Sequence, residues 1–140
     1  MKLFIRLTTA ICMLIPFSCC SQNKQNTENE GADSKTSVAE YRKISAKEAK
    51  KMLDENPDAI LLDVRNESEY KEAHIPGAIL LPVNEIGVKA KEKLPDKDAL
   101  ILVYCRSGGR SRNAANILVS LGYTKVYDFG GIMSWPYETE

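Results

Sequence analysis

Histidine occurs once in the 140 residues, at His74, and tryptophan once, at Trp135. Three of the four cysteines, Cys12, Cys19 and Cys20, crowd into the first 20 positions, and Cys105 stands alone in the remainder. One histidine and one cysteine cannot assemble a zinc site in that remainder. A lone thiol also lacks a partner for a structural disulfide or a thioredoxin-like redox pair. Net charge is absent too, with 19 basic residues against 19 acidic ones, so nothing in the balance suggests a nucleic-acid partner, although a local anion site remains compatible with it. No apolar run reaches the roughly 20 residues of a membrane-spanning helix. The longest candidate, Leu7 to Phe17, is broken by Thr8, Thr9 and Pro16.

What is present at the N-terminus has the shape of an export signal: Lys2 and Arg6, then the apolar stretch, then small residues. Ser18-Cys19 at its end resembles a bacterial lipoprotein signal, in which cleavage precedes a cysteine that then carries lipid. Residues 1–19 are therefore expected to be a lipoprotein-type signal, with Cys19 as the lipidation site and Cys20 its competitor. Residues 20–39 have no apolar periodicity and are rich in Asn, Gln, Glu, Ser, Thr and Lys, the composition of a flexible tether. The expectation is a protein exported to the cell envelope or periplasm and held to a bacterial membrane only through its lipid.

From residue 40 the pattern alternates between two periods. Ser45 and Glu48 form a capping box ahead of a helix that puts Ala46, Ala49, Met52 and Leu53 on one face. The runs at 59–64, 78–83 and 99–104 are short and almost wholly apolar, which predicts strands buried on both faces of a parallel sheet, and 125–129 is a further strand candidate. Ala114, Ile117, Leu118 and Leu121 recur at helical spacing. Strands alternating with helices and free of internal repeats make one α/β domain.

Cys105 falls between the third of these strands and the helix, in the stretch LVYCRSGGRS. In open α/β sheets, crevices at the carboxyl ends of strands hold ligands. Gly108 and Gly109 permit a tight turn with amides facing inward, and the helix beginning near Gly109 to Ser111 adds unpaired N–H groups and a positive dipole end. Such an anion nest, flanked by Arg106 and Arg110, stabilises a thiolate over a thiol.

Three segments extend the pattern: LLDVRNESEYKEAHIPGAILLP, VYCRSGGRS and DFGGIMSWP. In this order, over 40–138, they resemble a single-domain member of the rhodanese family. The resemblance implies a parallel five-stranded sheet flanked by helices on both faces. It implies transfer of sulfane sulfur through a persulfide on Cys105, cradled by the backbone amides of the loop Cys105, Arg106, Ser107, Gly108, Gly109 and Arg110. The implied partners are a small anionic donor such as thiosulfate or a persulfide, oriented by Arg106 and Arg110, and a thiol or cyanide acceptor, with a protein thiol among the candidates. No cofactor or metal is called for. The final SWPYETE is shorter than in many relatives, which implies a missing rim of the pocket.

Asp63 and Arg65, at the end of a neighbouring strand, are expected to line the pocket or to form an ion pair with Glu69, whose own role is read as structural. His74 in HIPGA is read as turn-forming rather than catalytic, and Trp135 as core or rim packing. Lys89, Lys91, Glu92 and Lys93 read as a solvated helix face. Two rivals are a cysteine-dependent phosphatase or arsenate-type enzyme and a non-catalytic binding or redox-sensing module. A phosphatase loop has five residues between cysteine and arginine, whereas four separate Cys105 from Arg110. The smaller ring suits a single sulfur better than a tetrahedral phosphate.

Overall fold

The computed structural model describes residues 40–140, so the expected signal over 1–19 with Cys19, and the whole of the expected tether over 20–39, lie outside the described residues. Among the described residues no helix is long and apolar enough to cross a membrane. The elements run β1 (Arg42–Lys43), α1 (Ala46–Glu55), β2 (Ile60–Asp63), α2 (Glu67–Glu72), β3 (Ile79–Leu80), α3 (Ile86–Lys93), β4 (Leu100–Cys105), α4 (Gly109–Ser120) and β5 (Lys125–Gly131), followed by a 3₁₀ turn at Ile132–Ser134. All strand pairings are parallel, in the order β1-β5-β4-β2-β3.

The sheet has five strands with helices on both faces, as the resemblance implied, and the alternation of side chains explains how. Ile101, Val103 and Cys105 of β4 join Leu62 and Val64 in a core beneath α3 and α4, with Ile86, Ala90, Ala114, Ala115 and Leu118. Leu102 and Tyr104 point the other way, into a second core with Leu61, Ala49 of α1, Ile75, Phe129 and Trp135. Because both faces are covered, the β2 and β4 runs are almost continuously apolar.

The run 78–83 departs from its expectation. Only Ile79–Leu80 form β3, at the edge of the sheet, and Ile79 is 41% exposed rather than buried on both faces. Pairing beyond it continues through Leu81 N–H to the Asp63 carbonyl (2.9 Å), but Pro82 has no N–H to extend a regular ladder. The opposite edge, β1, is two exposed basic residues without apolar alternation. On α4 the buried positions are Ser111, Ala114, Ala115 and Leu118, while Leu121 falls past the helix end and is 38% exposed.

The chain steps outward from β2 to β3, then returns to the other side of β2 for β4 and β5. This reversal lies between β2 and β4, and the crevice beyond their carboxyl ends is where such sheets hold ligands. Asp63 ends β2 and Cys105 ends β4.

Candidate active site

Cys105 leaves the central strand and the chain turns through Arg106 to Gly108 before α4 begins at Gly109. Gly108 has φ +105°, a left-handed conformation that side-chain-bearing residues rarely adopt, and this turns its N–H onto the Cys105 Sγ at 3.1 Å. No side chain caps the N-terminus of α4, so its first amides remain available to the sulfur. Burial pushes the thiol up. The amides of Ser111 and Gly108, the Ser111 hydroxyl and the Ser107 amide outweigh it, and the net result lies below the ordinary thiol range. The Ser111 hydroxyl lies 3.2 Å from the Gly108 carbonyl and 3.1 Å from that of Gly130. It has one proton to share among these acceptors, so the steady pull on the sulfur comes from the amides.

The back of the loop rests on β5. Gly131 is buried there, and a Cβ at that position would lie 2.2 Å from the Arg106 carbonyl oxygen and 2.7 Å from Ser107 Cα. Met133 N–H donates to the same carbonyl at 3.3 Å. The loop is thus clamped between α4 and the end of β5.

Beside it lies a cleft of about 430 Å3 whose walls include Arg65, Glu69, Arg106, Met133, Trp135 and Tyr137. Trp135 and Tyr137, from the short C-terminal segment, form one wall of it. A larger groove of about 920 Å3, between α1 and the Ile75–Gly77 turn, touches no residue of the loop, so size alone does not mark the site.

The charged residues form two ion pairs. Asp63, fully buried, takes Arg65 Nε at 2.9 Å and Nη2 at 2.6 Å, while Nη2 also donates to the Ala73 carbonyl at 2.7 Å. Breaking such a buried pair typically costs about 3–5 kcal/mol, which makes it a brace for the end of β2, and its Arg65 also walls the cleft. Its partner is not Glu69. Glu69 instead receives Arg110 Nη1 on Oε2 at 2.6 Å and Nη2 on Oε1 at 2.7 Å. The Arg110 hydrogen bonds hold the Glu69 carboxyl down at about 2 against its burial. Arg106 is exposed at the cleft and has no ion pair among the described residues.

His74 stacks on Tyr70 with ring centroids 3.8 Å apart and places Nδ1 3.0 Å from the Tyr70 carbonyl, engaged in its own turn. Trp135, 8% exposed, packs on Phe129. Of the residues singled out in the sequence, Arg65 and Arg106 line the cleft, while Asp63 and Cys105 are buried beside it at the ends of β2 and β4. Sequence reasoning missed Ser111 and Gly131, which hold the loop, and gave Glu69 the wrong partner, Arg65 in place of Arg110. The first signals itself only as a hydroxyl in the first turn after a glycine pair, the second as one glycine of a common doublet, and the third as an ordinary capping-box acid.

Comparison with known proteins places the site in context. The family model described as "Rhodanese-like domain" matches residues 45–137. The thiosulfate sulfurtransferase PspE of Escherichia coli is 38% identical over 71 residues, 51% of this chain and 68% of that protein. A sulfurtransferase of Allochromatium vinosum is 34% identical over 93 residues, 66% of this chain and 85% of that protein. Among solved structures, a rhodanese with anions from E. coli is similar with a TM-score of 0.56 and 33% identity, covering 59% of this chain and 96% of that one.

Proposed function

Because the chain belongs to the rhodanese family and is a rhodanese-type sulfurtransferase, we propose that it moves sulfane sulfur from thiosulfate or an organic persulfide to a thiophilic acceptor through a persulfide on Cys105. The observation that carries this reading is the Gly108 N–H aimed at Sγ from 3.1 Å, at the head of amides that lower the thiol. The thiolate attacks the outer sulfur of thiosulfate; the sulfur–sulfur bond breaks and sulfite leaves with its electron pair. The new persulfide anion sits among donors already aimed at its charge, so little reorganisation accompanies its formation. An acceptor such as cyanide or a thiolate then attacks the outer sulfur and returns the Cys105 thiolate. A thiolate that already exists needs no general base, which fits a His74 occupied by Tyr70.

Arg110 is assigned to the sulfonate of thiosulfate: two of its N–H groups meet Glu69, and three of the five donors of a guanidinium remain. Replacing Arg110 with alanine is expected to lower kcat/KM for thiosulfate by about tenfold or more, mostly through KM, and to affect a persulfide donor less. Thiocyanate formation from each donor with cyanide measures both. Equal losses would remove Arg110 from donor recognition.

The proposal extends to the setting. The domain works at a membrane surface, held by lipid on Cys19. In the full chain expressed in a bacterium, Cys19→Ala is expected to abolish incorporation of labelled fatty acid with Cys20 intact. Continued labelling would move the anchor to Cys20 or dismiss it.

A further inference from the structure

Glu69 occupies an uncommon position for a capping-box acid. It is the third residue of α2, and its Oε2 accepts the Asn66 backbone N–H at 3.3 Å, closing the box. The same carboxylate reaches across 41 positions of sequence to both terminal nitrogens of Arg110, from a side chain that is only 17% exposed. The forward edge of the loop arginine, the edge that fits two oxygens at once, is therefore already filled by a protein carboxylate. Arg110 also senses the sulfur. The Glu69 hydrogen bonds raise it despite burial, and charge on Cys105 adds to that.

The cleft is charge-balanced as a result. Asp63 neutralises Arg65 and Glu69 neutralises Arg110. Arg106 and Glu72, also at the cleft, have no ion pair among the described residues and offset one another. A dianion such as thiosulfate meets little net attraction here, and its sulfonate must displace Glu69 before it can take the forward edge of Arg110. An organic persulfide brings no sulfonate and has no such competition. Its transfer needs only that the Cys105 thiolate attack the outer sulfur while the parent thiolate leaves with the electrons of the broken bond.

We propose that Glu69 is a specificity-determining residue which, by holding the forward edge of Arg110, biases the site toward organic persulfides and against thiosulfate. This rests on the sulfurtransferase reading above and assigns its preferred donor class. Glu69 acts through Arg110 and does not touch the reacting sulfur.

The test compares wild-type protein with Glu69→Gln, measuring kcat/KM for thiosulfate and for cysteine persulfide, and the pH dependence of Cys105 alkylation. Releasing Arg110 is expected to raise kcat/KM for thiosulfate about tenfold and to leave the persulfide value within about twofold. The alkylation midpoint is expected to fall by about one pH unit, because the freed guanidinium charge now acts on the sulfur. If Glu69 only braces α2 and the loop, both donors lose equally and the midpoint rises toward the free-thiol value of about 8.5; that outcome overturns the proposal. A selective loss of thiosulfate activity, or an unchanged donor ratio, overturns it as well. Glu69→Asp retracts the carboxylate by one methylene, and it is expected to move the donor ratio in the same direction by less; if Glu69→Gln fails to fold, it decides the question. A wild-type protein that takes sulfur from neither donor refutes the sulfurtransferase reading and this inference together. A wild-type protein that loads normally beside a variant of unchanged ratio refutes the inference alone.

Discussion

Serine in place of Cys105 abolishes sulfur transfer, a loss expected to exceed about a thousandfold, while the domain unfolds at nearly its original denaturant concentration. The two halves of this result have separate causes. Cys105 is 1% exposed and its Sγ accepts the Gly108 N–H, a role a serine oxygen also fills, so the loop keeps its anchor. The chemistry has no such substitute. A hydroxyl is not ionised by a few amides, and the single histidine, His74, is engaged with Tyr70 rather than with this position. Thiocyanate formation and urea unfolding on the same preparation check both halves; measurable transfer by the serine variant would assign the nucleophile elsewhere.

A single methyl group on Gly131 is expected to be nearly as damaging, although Gly131 makes no contact with the reacting sulfur. Its φ of −133° is accessible to any residue, so the constraint is space rather than backbone conformation. An added Cβ would meet Arg106 and Ser107 backbone atoms 2.2 to 2.7 Å away, and backbone cannot swing aside as a flexible side chain would. Either β5 or the loop must shift. Overpacking of this kind typically destabilises by about 1–3 kcal/mol. A loop displaced by about 1 Å loses on the order of a hundredfold in rate, because the amides no longer converge on the sulfur. Gly131→Ala should therefore lose transfer activity together with the low-pH reactivity of Cys105 toward iodoacetamide. Full activity in this variant would show that the loop can take up the methyl group without losing its shape.

These two positions also show what was legible in the sequence. Cys105 announces itself, because a thiol between an apolar run and a glycine pair fixes strand, turn and helix start within a few residues. The central strands were legible for the same local reason: burial on both faces leaves continuous apolar runs. The edges of the sheet were not. β1 consists of two lysine- and arginine-type residues whose pairing depends on β5, far away in the chain, and β3 shrinks to two residues beside Pro82. The clamp at Gly131 and the Glu69–Arg110 pair are likewise products of tertiary approach. Nothing near Gly131 in sequence reveals that Arg106 will lie against it, and the capping box that makes Glu69 recognisable gives no sign of an arginine arriving from the loop after β4. Asp63 and Arg65 were placed at the right strand end, but their mutual pairing depends on a turn of the backbone that brings Arg65 Nε within 2.9 Å of the carboxylate of Asp63.

The central claim, that Cys105 carries sulfur as a persulfide, is tested most directly by the intact mass of the protein after exposure to thiosulfate or cysteine persulfide. The account predicts a species heavier by one sulfur atom, localised by proteolysis to the peptide containing Cys105, and discharged to the original mass by cyanide or a thiol. It also predicts no useful hydrolysis of an aryl phosphate by the same preparation, since only four residues separate Cys105 from Arg110 where a phosphatase loop has five. An unchanged mass after both donors, above all with robust phosphatase turnover, would contradict it.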